Sequence, residues 1–199
     1  ITCPIYLDGM IWDATAIHTT YPEYMSRDMQ KLILQDGNNP FTKENFHRIG
    51  SQKEREQILE KNEPCVVVAT SGMLIGGPSV WWLRKLAENE KNSLVFIGWQ
   101  SEASLGRRVQ KGWKEIPMEK NGRNIAVPIN LEVKTVEGLS GHSDFKQLVN
   151  YLGKLKQRPE RIICNHGESS KCIELARTLH NIFKCETLAP KLLETIRLK

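Results

Sequence analysis

The chain has 199 residues, of which 40% are hydrophobic, with five cysteines and a formal net charge of +5 at pH 7. This length buries one good core or two small ones, and no apolar run approaches the roughly 20 residues that span a bilayer. The start Ile1-Thr-Cys-Pro-Ile5 lacks the basic and apolar regions of a leader, and an odd cysteine count without a Cys-x-x-Cys pair argues against a disulfide framework or a zinc knuckle. The expectation is a globular, cytoplasmic protein with no membrane partner and with reduced, part-buried thiols. The positive balance suits a polyanion, and its distribution says more: Arg107, Arg108, Lys111, Lys114, Lys120 and Arg123 crowd one region interleaved with Trp99 and Trp113.

In chain order, Pro4 to Asp8 reads as a strand. A helix follows from Trp12 to Tyr21, ended by Pro22, and a second runs from Glu23 to Gln35 up to the turn cluster Asp36-Gly-Asn-Asn-Pro40. Asp8, at a strand end, reads as a cap or turn former rather than a metal ligand. His18 has no second histidine at helical spacing and reads as a packing or surface residue, and His47 belongs to a short strand or turn. Ser51-x-x-Glu54 has capping-box spacing and predicts a helix from Gln52 to Lys61.

Cys65-Val-Val-Val-Ala69 is a continuous β-branched run, as in a strand covered on both faces. It leads through Thr70-Ser71-Gly72-Met73 and Gly76-Gly77-Pro78 into an amphipathic helix carrying Val80, Trp81, Leu83 and Leu86. Backbone amides and a helix dipole in such a place can hold a phosphate, which makes Ser71, Gly72, Gly76 and Gly77 candidate contacts. An ordinary strand-to-helix turn accounts for these residues equally well. No Gly-Lys-Ser or Gly-Lys-Thr follows, which excludes a nucleotide P-loop. Ser93 to Gly98 repeats the buried-strand pattern, and Ser104 to Lys111 is a short basic helix. Its Arg107, Arg108 and Lys111 are candidates to neutralise phosphates, and the competing reading pairs the arginines with Glu102 and Glu115. Three such strands with intervening helices predict a parallel α/β sheet whose binding edge, reached by Asp8, Ser71 and Gln100, lies beyond the strand C-termini. From Trp113 to Leu139 the chain changes to extended segments broken by Pro117, Asn121-Gly122 and Pro128, which predict antiparallel strands and a hairpin. The domain boundary is placed here, dividing 1–123 from 124–199.

Thr135-Val-Glu-Gly-Leu-Ser-Gly-His142 and Arg161-Ile-Ile-Cys-Asn-His166 are two apolar runs that each end in a histidine. With the helix from Ser143 to Leu155 as crossover, their strands are expected to be parallel neighbours with both histidines on one edge. Two unrelated loop histidines remain the alternative. A helix from Ser169 to Lys184 and closing strands at Cys185–Leu188 and Leu193–Leu198 complete the reading.

Ser140-Gly141-His142-Ser143-Asp144 and Asn165-His166-Gly167-Glu168 resemble the B and C histidine motifs of the β-CASP branch of the metallo-β-lactamase fold, which contains nucleases of RNA and DNA. Ala69 to Gly77 and Gly98 to Gly112 are similar to the RNA-cleaving, cleavage-and-polyadenylation-specificity-factor type. Leu193 to Lys199 resembles the ending of its archaeal members. The resemblance implies a parallel-sheet β-CASP domain followed by the C-terminal strands and helices of a metallo-β-lactamase αβ/βα domain. It implies His142 as catalytic proton donor and His166 as a zinc ligand. It also implies a zinc-dependent ribonuclease, with two ions in the longer parent, that cuts RNA 3′ ends and terminates transcription. The implied partners are RNA, the transcription machinery and a second copy joined through the C-terminal strand. RNA is then expected to cross Ser71, Gly72, Gly76, Gly77 and the basic helix toward His142.

The family's His-x-His-x-Asp-His segment, its later His and Asp, and its acidic motif A do not occur in the sequence. The resemblance is therefore to the C-terminal part of a longer nuclease, expected to be inactive and to hold zinc poorly by itself. Two other readings stay open. A stand-alone RNA-binding module is favoured by the missing ligands and the basic, Trp-bearing region, whereas the presence of both His142 and His166 argues against an inactive interaction subunit.

Overall fold

The computed structural model describes residues 2–120 and 123–198, with the backbone alone at 118–120, 123 and 124. The predicted turn at Asn121-Gly122 lies outside the described residues, as do the side chains of Lys120 and Arg123. The chain divides into two compact units, Ile1–Ser140 and Gly141–Lys199.

The first unit runs β1 (Ile5–Asp8), α1 (Met10–Thr20), a 3-10 turn at Pro22–Tyr24, α2 (Arg27–Leu34), β2 (Phe46–Ile49), α3 (Gln52–Lys61), β3 (Val66–Ala69) and α4 (Pro78–Leu86). It continues with β4 (Ser93–Phe96), α5 (Leu105–Gln110), β5 (Glu115–Lys120), β6 (Arg123–Pro128) and β7 (Glu132–Thr135). β1 is the centre of a parallel sheet of order β2-β1-β3. Its register sets Asp8 level with Ile49 and Ala69, so the three strands end on one edge and release their loops there. Ile5, Leu7 and Ile49 are buried against it. The main core lies elsewhere in the unit, where Leu83 and Ala87 meet Phe96, Val109, Ile116, Val127 and Leu131.

Several expectations change. The helix expected from Glu23 begins only at Arg27: Met25 is extended, and Ser26 caps the helix by accepting from the Met29 amide at 3.3 Å. The hydroxyl next to a helical run outcompetes a start without a cap. In α3 Ser51 accepts from the Glu54 amide at 3.3 Å as predicted, but the Glu54 carboxylate accepts from Gly50 at 2.9 Å, one residue before the usual box. On α4 the inward tryptophan is Trp82, not Trp81. β3 is half-buried with Val66 exposed, and its sheet partner is β1. β4 does not join that sheet. It pairs in parallel with β7, and β5 and β6 form the predicted antiparallel hairpin.

The second unit contains α6 (Phe145–Gly153), β8 (Arg161–Ile163), α7 (Ser169–Phe183) and β9 (Glu186–Leu188). β8 and β9 pair in parallel, and Cys164, Ala176 and Leu179 are buried between this pair and the helices with Val149, Leu152 and Phe183 packed on them. Among the described residues the first histidine-bearing run pairs within the first unit and the second pairs within its own. β7 is held to β4 because Asn130 and Leu131 both donate to the Ala87 carbonyl and Val136 donates to Phe96, which ties the run into the first unit's core. Residues 193–198 form no strand: Leu193 has a positive φ of 65°, and the backbone there is held by Arg161, whose guanidinium donates to the Arg197 carbonyl at 2.7 Å. None of the five cysteines is in a disulfide. Among the described residues no helix is long and apolar enough to cross a membrane.

Candidate nucleic-acid interface

The loop between β3 and α4 is shaped by its own hydrogen bonds. Ser71 Oγ accepts from the Ile75 amide at 3.1 Å, and the Ser71 carbonyl accepts from Ser79 Oγ at 2.7 Å and from the Leu74 amide at 3.2 Å. The Ser79 amide donates to Thr70 at 2.9 Å, which occupies one donor of the helix start. Gly77 has φ +74°, and a Cβ there would stand 3.3 Å from the Thr70 carbonyl, so the turn into α4 requires glycine. Gly72 and Gly76 face open space, and the amides of Gly72, Gly76 and Gly77 make no hydrogen bond among the described residues. The Ser71 hydroxyl thus builds the loop, and the amides of Gly72, Gly76 and Gly77 are left without a partner among the described residues.

Gln100 joins this loop to α5. Its buried side-chain amide donates to the Gly72 carbonyl at 2.9 Å and to Gly98 at 3.1 Å. The Gly106 amide donates to Met73 at 3.1 Å. A Cβ on Gly106 would meet Gln100 Oε1 at 1.8 Å, so the helix approaches this closely only because position 106 has no side chain. Gln100 Oε1 is buried and has no hydrogen-bond partner among the described residues. The sequence puts Gln100 at the edge but carries no sign that it fastens two candidate segments together.

Ser104 caps α5 through the Arg107 amide at 3.1 Å. Arg107 and Lys111 both bind Glu102, at 3.1 and 2.7 Å, and hydrogen bonding from Lys111 is the main reason its carboxyl is held below the usual range. Part of the competing structural reading is therefore realised, for Arg107 with Glu102. These pairs are exposed, and such ion pairs hold weakly against water and salt. Arg108 instead lies over the Trp113 ring at 4.8 Å.

Asp8, also on the edge, is fully occupied. Its two oxygens accept from Arg55 at 2.7 and 2.8 Å and from the Trp82 indole at 2.7 Å, and it is buried. Hydrogen bonding to the Asp8 carboxylate raises the Arg55 pKa. A buried carboxylate needs such partners, and these leave Asp8 a structural anchor rather than a metal ligand.

The histidines stand in the second unit. His142 is exposed in the irregular stretch before α6. Asp144 starts that helix with a full capping box, accepting from the Gln147 amide at 2.8 Å while Gln147 accepts from the Asp144 amide at 2.9 Å. The Asp-x-x-Gln spacing is readable in the sequence and fixes the chain two residues after His142. His166 is exposed with φ +66°, in the turn between the end of β8 and α7. Cys164 prolongs the ladder by donating to Leu188 at 2.8 Å, and Gly167 lies close enough to α7 that a Cβ would be 3.1 Å from Cys172 Sγ. Burial raises the Cys164 thiol pKa. Among the described residues no three His, Cys, Asp or Glu side chains come together. A zinc site takes at least three protein ligands, so the described residues do not by themselves fit the ion.

The fold is mixed α/β with parallel strands, and in its first unit the Gly106 amide of the basic helix donates to Met73 of the glycine-bearing loop. A Beta-Casp domain model matches residues 1–109, and a model described as a Zn-dependent metallo-hydrolase RNA specificity domain matches residues 126–190. The chain belongs to the β-CASP family. It is 55% identical to the transcription termination factor FttA of Methanocaldococcus jannaschii and 57% identical to that of Methanococcus maripaludis, in each case over 98% of this chain. It is 50% identical to the FttA of Pyrococcus abyssi over 100% of its length. The chain spans 31% of the length of these relatives.

Proposed function

We propose that this chain is the C-terminal part of a longer zinc-dependent ribonuclease that cleaves RNA 3′ ends and terminates transcription in the cytoplasm. The 55% identity to a termination factor supports this reading, together with the match to an RNA specificity domain. The division into a β-CASP domain at 1–123 and a metallo-β-lactamase segment at 124–199 is part of the same proposal. In it His142 gives a proton to the leaving oxygen, and His166 is one ligand of a zinc site that needs others from the rest of the parent. The loop holding Gly72, Gly76 and Gly77, shaped by Ser71, receives phosphates together with Arg107, Arg108 and Lys111. The observation that carries the binding role is the set of unbonded glycine amides fastened through Gln100 to the basic helix.

Phosphate contacts of this kind position an RNA strand without reading its sequence. Arg107→Ala with Arg108→Ala is expected to weaken binding of different single-stranded RNAs about equally and to flatten log K against log salt by roughly 0.7 per lost phosphate contact. Titrations at several salt concentrations measure this, and an unchanged slope would remove these arginines from the RNA path.

The parent is also proposed to form a homodimer through the C-terminal tail and to work beside the transcription machinery. Leu192 and Leu193 are 94% and 95% exposed at the start of the tail, and the Arg197 carbonyl is already held by Arg161. Apolar side chains this exposed find cover when a second copy packs on them. Removing residues 192–199 is expected to turn a dimer into a monomer by mass measurement in solution. A monomer before truncation, or a dimer after it, contradicts the proposal.

A further inference from the structure

We infer that the groove beside the β5–β6 hairpin takes an unpaired nucleobase of single-stranded RNA, stacked on the Trp113 indole; this rests on the RNA reading above and adds a base-binding site to it. The groove measures about 610 Å³, and Arg108, Trp113, Lys114, Pro117, Ile125 and Ala126 line it. Its position follows from the end of α5. Gly112, at φ +92°, turns the chain, and the Trp113 amide donates to the Arg108 carbonyl at 3.0 Å, so the ring and the guanidinium that lies over it are delivered by the same turn. Ile116 and Val127, paired across the hairpin, are buried in the core and anchor it. Trp113 and Ile125 remain 45% and 37% exposed at the groove.

An exposed tryptophan on a rigid support is costly unless something flat and apolar covers it. A base does so whatever its identity, because every base has a π-face. The charges around the ring fit a base attached to phosphates. Among the described lining residues Arg108 and Lys114 stand against one carboxylate, that of Glu115, and Arg107 and Lys111 continue the basic character along α5. Arg108 then serves both the indole it covers and an adjoining phosphate, and Arg107 and Lys111 serve phosphates further along α5.

The test is a binding titration of the full chain at several salt concentrations with a short oligouridylate and with an abasic oligomer carrying the same number of phosphates. Unsubstituted protein is expected to bind the oligouridylate more tightly than the abasic oligomer. Trp113→Ala is expected to weaken the oligouridylate by about 5- to 150-fold for one lost stack while leaving the salt slope and the abasic affinity unchanged. Trp113→Phe, which keeps a ring, is expected to stay within a few-fold of the unsubstituted protein. Equal loss for both oligomers, or no loss for either, overturns the stack. If Trp113→Ala fails to fold, the unsubstituted protein decides alone, and equal affinity for the two oligomers overturns the proposal. Salt-sensitive binding of both oligomers with no preference would leave the phosphate path standing and remove only the base site. Absence of binding to either would overturn the RNA reading itself.

Discussion

Asp8→Ala is expected to lower the stability of the first unit by about 3 kcal/mol, because it strands a part-buried cation and a buried indole donor together. Asp8 is the meeting point of Arg55, from α3, and Trp82, from α4, with all three oxygen-to-nitrogen distances at 2.7–2.8 Å. Removing the carboxylate leaves the Arg55 guanidinium, part-buried at 20% side-chain exposure, without its counter-charge and leaves Trp82 Nε1 without an acceptor. Asp8→Asn keeps the volume and one acceptor for the indole but removes the charge, so its loss is expected to be smaller. Removing both charges, with Asp8→Leu and Arg55→Leu together, is expected to cost less than Asp8→Ala alone, because no buried charge is then left unpaired. Urea unfolding of the four proteins measures the series. A change under about 1 kcal/mol for Asp8→Ala would show that the triad holds nothing together, since native domains have only about 5–15 kcal/mol in total.

In the full-length parent, His142→Ala is expected to slow RNA cleavage by about 10²- to 10⁴-fold without loss of bound metal, the range over which a positioned acid contributes. His166→Ala is expected to lose cleavage and metal together, since a residue that holds the ion serves both. Turnover of a labelled RNA and metal analysis of the same preparations separate the two roles. Equal metal loss in both variants, or unimpaired cleavage by His142→Ala, would refute the assignment. The local structure favours a clean comparison. His142 is exposed, and the capping box of Asp144 and Gln147 starts α6 two residues further on. His166 is also exposed, but its φ of +66° is one an alanine adopts with more strain than asparagine or glycine. His166→Asn is therefore the better control for backbone effects there.

The class of fold, most elements and the family were legible in the chain itself. Ile5 to Asp8, the β-branched run at 66–69 and the apolar periodicity of 169–183 specify strand or helix over a few residues, and local propensity decides at that scale. Caps were legible for the same reason, as at Ser51, where a hydroxyl sits three residues from the amide it receives. The motifs around His142 and His166 and the glycines at 72, 76 and 77 are also contiguous, so their candidacy needs no tertiary information.

Only the tertiary structure decided which strand lies beside which. β7 joins β4 and β8 joins β9, because pairing depends on where residues such as Leu131 and Phe96 bury their side chains and not on the runs' own character. It also decided the partners of polar groups far apart in sequence. Asp8 with Arg55 and Trp82, and Gln100 with Gly72, each depend on packing that places a donor within 2.9 Å of an acceptor. Residues 193–198 show the limit of propensity: they alternate like a strand, yet a strand needs a partner edge to satisfy its amides, and among the described residues none is beside them.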